Sequence, residues 1–220
     1  IKLTRNLYET NKKIPGYLVA NAIYSPSYLS FDFALAYYGL IPEAVYVYTS
    51  ATYCKNKKKK YTNKLGAFTY RDVPPSAYPF GINIIKDGEN TYLIATAEKA
   101  LCDKLYSIHP VKNKKELIHL LFDDLRIDTD LFYQLNFDDL SLLCDLYKST
   151  NLKLLKKVIG DTNANNTRPN DLTISFNFGK YMDKSKSLSL IKSEKSKSSE
   201  KRSSLQEIFM KLIKKSQVIL

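Results

Sequence analysis

A chain of 220 residues is long enough for one medium domain with an appendage, or for two small domains, and it can bury a core without disulfide staples. Hydrophobic residues at 44% and charged residues at 25% match an ordinary globular protein, which excludes a wholly disordered chain. No apolar run approaches the roughly 18–20 residues of a membrane span. The polar, basic start lacks the apolar stretch of a signal peptide. Cys54, Cys102 and Cys144 are an odd number at wide spacings, which predicts a reduced, cytoplasmic chain rather than a disulfide framework. The first residue is Ile1 and not Met, so a fragment or a processed product is expected. The net charge of +12 is uneven: residues 1–80 carry +7, residues 81–180 carry −1 and residues 181–220 carry +6. Two basic zones around a neutral middle suit contact with a polyanion, and equally suit solubility alone.

Residues 1–10 read as a strand, with Leu3 and Tyr8 apolar among polar neighbours, and Asn11-Lys12-Lys13 ends the run. Pro15-Gly16 marks a turn. Residues 17–23 predict one or two helical turns, broken by Ser25-Pro26-Ser27. Ser30 fits a helix N-cap with Asp32 in the first turn. Phe33, Ala34, Tyr37 and Tyr38 then share an apolar face, and Gly39 and Pro42 stop the helix. Residues 44–49 are β-branched and aromatic on both faces, which predicts an interior strand. Residues 54–64 read as a polar, lysine-dense connection, and residues 67–71 as a further strand ended by Pro74-Pro75. Residues 82–86 and 91–95 across Asp87-Gly88-Glu89-Asn90 predict a hairpin.

After Thr96 the period becomes helical, with Thr96 as cap, Glu98 in the first turn, and Ala97, Ala100, Leu101 and Leu105 as the stripe. Further helices are expected at about 114–125, 138–148 and 152–159, the last ended by Gly160. Strands first and helices after predict an α+β fold: a small mixed or antiparallel sheet with the C-terminal helices packed on it. Residues 161–204 read as a linker and a Lys/Ser-rich disordered stretch. Residues 205–220 read as an amphipathic helix, with Leu205, Ile208, Phe209, Leu212 and Ile213 on one face.

Catalytic chemistry is hard to assemble from these residues. Seven glycines and no phosphate-loop or dinucleotide fingerprint argue against a nucleotide cradle, and no Cys-x-x-Cys is present for zinc. His119, flanked by Lys115 and Asp123, falls on the polar side of its helix, and His109 precedes Pro110 in a loop. Cys102 and Cys144 lie on apolar stripes and suit core packing. Cys54 beside Lys55 suits either a mildly activated thiolate or an exposed bystander. Asp123, Asp124, Asp128, Asp130, Asp138 and Asp139 suit helix ends and caps at least as well as a metal. No enzyme activity, cofactor or metal is therefore expected.

The candidate contact for a polyanion is the lysine run. Lys55, Lys57, Lys58, Lys59, Lys60 and Lys64 crowd one connection, interleaved with Tyr53 and Tyr61 and followed by Tyr70. Lys2 and Arg5 in the first segment and Arg71 in the strand after the run complete the set. Lysine–phosphate contacts give affinity without reading sequence, and that affinity falls steeply with salt. The competing reading is a solvated loop that protects a sheet edge from aggregation.

The stretch 14–43, IPGYLVANAIYSPSYLSFDFALAYYGLIPE, resembles the hallmark segment of the AbiEi-type abortive-infection antitoxin family of transcriptional regulators. Residues 44–50, with their strand ending in Thr-Ser, residues 66–70, similar to a Gly-x-Phe-x-Tyr strand, and residues 95–106, ATAEKALCDKLY, similar to a Glu-Lys-Ala-Leu-x-Asp helix, continue the resemblance in order over roughly residues 1–160. The resemblance implies an antitoxin of a two-gene phage-defence system. It would counter a nucleotidyltransferase-like toxin without a stable complex, and repress its own operon by binding operator DNA through an N-terminal winged helix-turn-helix. Residues 1–13 resemble the end of that winged domain and residues 14–160 the antitoxin domain. The recognition helix that would read the major groove has no counterpart here. From Met182 the tail faintly resembles the opening of the partner toxins. The alternative is a general nucleic-acid-binding or scaffold module that uses the lysine run.

Overall fold

Asn6 turns the chain at its outset. Its φ of 66° is the left-handed conformation that asparagine tolerates, so the expected first strand is instead a short hairpin, β1 (Lys2–Thr4) and β2 (Leu7–Tyr8). The structure is a computed structural model that describes residues 1–165 apart from Lys12. The Lys/Ser-rich stretch and the amphipathic helix expected at 205–220 lie outside the described residues. Beyond the hairpin the chain is α+β, as the order of sequence patterns implied.

Helix α1 (Gly16–Ile23) matches its apolar run, and buries Val19, Ala20 and Ile23. The break expected at Ser25-Pro26-Ser27 leads directly into a three-residue strand, β3 (Ser27–Leu29), fully buried and too short to show a period. Ser30 takes the N-cap position of α2 (Phe31–Tyr37), but its hydroxyl is used elsewhere. The cap comes from the neighbouring strand: Thr49 Oγ1 accepts from Phe33 N at 3.0 Å and donates to Ser30 O at 2.5 Å.

Strand β4 runs from Val47 to Tyr53, later than the expected 44–49. Its start is set by pairing, because Val47 is the first residue with a partner, Ala67; Tyr46 before it is 86% exposed. The expected lysine-dense connection also contains a strand, β5 (Lys59–Asn63), which pairs with β6 (Gly66–Val73). An edge strand needs ladder partners on one side only, and lysines suit an edge. The hairpin β7 (Ile82–Asp87) and β8 (Asn90–Ala95) is as expected, with the turn tightened to Gly88-Glu89.

The six strands form one mixed sheet in the order β5-β6-β4-β3-β8-β7. The β4–β6 and β3–β8 pairs are parallel and the other three are antiparallel. Neighbouring residues of a strand face opposite sides of a sheet. Tyr70 donates its hydroxyl to Ala20 O of α1 at 2.6 Å, whereas the guanidinium of Arg71 lies over Phe31 at the start of α2. Helix α1 therefore covers one face. On the other face lies α3 (Ala97–Tyr106), where Thr96 caps as expected by accepting from Lys99 N.

The remaining helices pack behind α3. Helix α4 (Lys114–His119) ends in a widened π-helical turn over Leu120–Asp124, with Leu125 N donating to Leu120 O. A short helix that periodicity did not show, α5 (Thr129–Gln134), comes next, capped by Asp128. Helix α6 (Phe137–Asp145) starts at the cap Asn136 and ends before the expected 148. Helix α7 spans Thr150–Asn165, so Gly160 does not end it and the expected linker begins inside a helix. Buried Asn151 ties α7 to the last turn of α3 and the segment after it, donating to Leu105 O at 3.0 Å and accepting from Val111 N at 2.9 Å. Tyr28, Phe68, Tyr70, Phe132 and the leucines Leu101, Leu105 and Leu117 of these helices are under 2% exposed. Each such side chain contributes about 1.5–3 kcal/mol of burial free energy.

Candidate nucleic-acid interface

Strand β5 carries two of the expected contact residues, Lys59 and Lys60, and Lys58 and Lys64 flank it. Lys59 stands opposite Tyr70 and Lys60 opposite Thr69. Between the lysines and Asn63, Tyr61 packs inward, its ring 5.8 Å from that of Tyr70 and 6.1 Å from that of Tyr24. One aromatic side chain thus fastens the strand while the lysines stay in water. Like charges at 4 Å repel by about 1 kcal/mol in water and far more in a dry interior. A run of four lysines is therefore tolerated at an exposed edge and nowhere deeper.

Two concavities flank β5. The first, a cleft of about 310 Å³, lies between the β5–β6 edge and the junction of α2 with α3. Lys58, Lys59, Lys60, Arg71 and Lys104 line it, with Thr69 and Asp32 among them. Asp32 is committed to Lys104, 2.5 Å away. Lys58, Lys59, Lys60 and Arg71 have no ion pair among the described residues. Arg71 is steadied from within: its guanidinium carbon is 5.9 Å from the centre of the Phe31 ring, and Nη1 donates a long bond of 3.5 Å to Ser107 O. A guanidinium carries five N–H groups, so several remain for a ligand. The second concavity, an open groove of about 570 Å³, separates the β1–β2 hairpin from β5 and is lined by Lys2, Arg5, Tyr61 and Lys64, with no carboxylate. Asn63 Nδ2 ties the two elements, donating to Leu3 O at 3.3 Å.

The structure thus brings together seven of the nine expected contact residues. Lys55 and Lys57 line neither concavity; Lys55 lies instead over the Tyr24 ring at 5.3 Å, and Lys57 is exposed in the connection. Lys104 was not among the expected set. It sits on the polar side of α3, and only the packing of α3 against α2 brings it to the cleft.

A second polar constellation lies wholly inside. Lys99 and Asp103, one helical turn apart on α3, are both 0% exposed, with Nζ 3.1 Å from Oδ1. Lys99 Nζ also donates to Ala77 O at 2.9 Å and to Tyr147 Oη. Asp103 accepts from Tyr28 at 3.0 Å, from Ser30 at 2.7 Å and from Tyr147. Burial, reinforced by the Asp103 carboxylate, holds the Tyr28 and Tyr147 hydroxyls far above the usual phenol range. Every member is bonded, so this cluster joins β3, the start of α2, α3 and the end of α6 rather than presenting a reactive group. The signal was present in the sequence as an opposite-charge pair at i, i+4.

The other chemistry-bearing residues are dispersed. His119 is exposed beside Asp124 at 3.5 Å and Asp123 at 3.9 Å. Asp128 caps α5, and Asp138 and Asp139 occupy the first turn of α6. Cys102 and Cys144 are buried and reduced, and burial, with Cys144 close by, pushes the Cys102 thiol well up, so it stays protonated. Cys54 is exposed. Among the described residues no group of three or more His, Cys, Asp or Glu is placed to hold a metal ion, and no helix is long and apolar enough to cross a membrane. No family model, curated protein or solved structure matches this chain.

Proposed function

We propose that this chain is the antitoxin of a two-gene, phage-defence toxin–antitoxin pair of the AbiEi type that its sequence resembles, and that it works by binding rather than by turnover. Its functional counterpart is a nucleotidyltransferase-like toxin, countered without a stable complex. Its direct partner is a nucleic acid, including the operator DNA of its own operon, and its setting is the cytoplasm. The observation that carries the reading is the group of cations without an ion pair among the described residues, Lys58 just before β5, Lys59 and Lys60 on it and Arg71 on β6, set in the same α+β unit that holds the resembling segments. A folded surface tolerates such a row most easily where a polyanion comes to neutralise it.

The test is growth rescue. Cells expressing a neighbouring nucleotidyltransferase-like gene are expected to recover when this chain is co-expressed. Continued growth arrest, with the chain folded and abundant, overturns the reading. A second reading, a general nucleic-acid-binding module, is favoured by the basic lining of both concavities, which carries no sequence-reading helix. It predicts salt-sensitive binding without rescue.

A further inference from the structure

We propose that β5 is a seat for single-stranded nucleic acid, with one nucleotide unit held in the cleft between the β5–β6 edge and the α2–α3 junction. The inference rests on the nucleic-acid part of the reading above and names the kind of strand. Three features support it: the size of the cleft, the position of its cations, and the relation between the two concavities.

The cleft holds about 310 Å³, the low end of small-molecule pockets. That volume takes one nucleotide unit and not the width of a duplex. Its free cations line a concavity. With Lys104 occupied by Asp32, these are Lys58, Lys59 and Lys60 from β5 and its approach, and Arg71 from the adjoining β6. The Arg71 fork is steadied by Phe31 and Ser107, which leaves it ready for a bidentate contact with a phosphate. The Thr69 side chain shares that lining and adds a hydroxyl.

The second groove continues the path. Lys60 and Lys64 are four residues apart, about 13 Å along the chain at strand spacing. Lys64 stands with Lys2 and Arg5 around a groove that also exposes part of Tyr61, an aromatic surface on which a base can stack. A strand that follows β5 must lower its phosphates into two concavities over that short distance. Duplex DNA, with a persistence length of about 150 bp, pays a deformation energy to bend on that scale, whereas a single strand follows it freely.

The experiment measures anisotropy of a short fluorescent oligothymidylate, the matching oligouridylate and a blunt duplex of the same length, with the full chain, between about 50 and 200 mM salt. Both single strands are expected to bind about tenfold tighter than the duplex. The triple variant Lys58→Ser, Lys60→Ser, Arg71→Ser is expected to lose at least tenfold in single-strand affinity. Its salt slope should fall by about two, at about 0.7 per lost phosphate contact. The three positions are exposed, and a thermal melt confirms that the variant folds; Arg71→Lys, which keeps the charge and loses the fork, should fall between. Equal or tighter duplex binding overturns the proposal, and so does an unchanged slope in the triple variant. Growth rescue without single-strand preference removes this site and leaves the antitoxin reading standing. Single-strand preference without rescue supports the site and removes the antitoxin reading.

Discussion

Lys99 and Lys59 are the same side chain in opposite surroundings. Lys99 is completely buried and makes three polar contacts, to Asp103, Ala77 O and Tyr147. Lys59 stands exposed on an edge strand with no ion pair among the described residues. Besides Asp103 on its own helix, the buried charge is held by Ala77 O and Tyr147 from elements far apart in sequence, so it reports on the fold. The exposed charge is held by nothing, so it is available to a ligand. The difference also separates two kinds of cost. Leaving a buried ion without its partner is expensive, whereas losing a surface charge hardly changes stability but changes the field around the molecule.

Asp103→Ala puts the largest strain on that contrast. It strands the Lys99 ammonium and removes the acceptor of three hydroxyls, and is expected to cost about 3–5 kcal/mol of unfolding free energy in denaturant titration. A cost under about 1 kcal/mol would show that the cluster does not hold these elements together. Alkali probes the same cluster without mutation. The folded state keeps Tyr28 and Tyr147 protonated well above pH 10, while the unfolded chain releases those protons near pH 10. Above pH 10 the unfolded state therefore binds fewer protons, and stability falls as pH rises; below it the contribution is complete. Each tyrosine adds at most about 1.4 kcal/mol per pH unit to that slope, and Tyr147→Phe should flatten it.

Gly81→Ala is expected to cost about 1–3 kcal/mol, from a φ of +67° and a new Cβ placed 2.8 Å from Lys99 Cβ. A thermal melt decides it, and no change would mean that Lys99 can give way. Ser30→Ala removes one of the hydroxyls on Asp103 and should cost about 1 kcal/mol, because Thr49 still caps α2. Replacing Lys57, Lys58, Lys59 and Lys60 together with serine should move stability by under about 0.5 kcal/mol while lowering the salt slope of nucleic-acid binding. A large destabilisation there would dissolve the comparison, since it would make the edge lysines structural.

Elements with a strong local signal were legible. The α1 run, the Thr96 cap with the stripe of α3, and the β7–β8 hairpin each arise from a period, a cap or a glycine turn within a few residues. The elements that were missed lack such signals. Strand β3 has three residues, β5 is mostly lysine and polar residues, and α5 is a six-residue helix. Each exists because a neighbour completes its hydrogen bonds or covers its apolar side. Gly160 shows the reverse error: a residue that favours a helix stop sits inside α7, just after the buried Leu155, Val158 and Ile159, and the helix runs on to Asn165.

The candidate site divides in the same way. That lysines and tyrosines interleave between two strands was visible in the sequence, because charge density is a local property of the chain. That they line two concavities, that Asp32 occupies Lys104, and that Arg71 is steadied on Phe31 depended on bringing β5, β6, α2 and α3 together. Composition and period by themselves determined that this chain folds as α+β and crowds six lysines into one connection, residues 55–64. Only the tertiary structure decided which lysine is locked inside and which ones stay exposed without an ion pair among the described residues. Burial and pairing arise between elements, and no single stretch of sequence contains them.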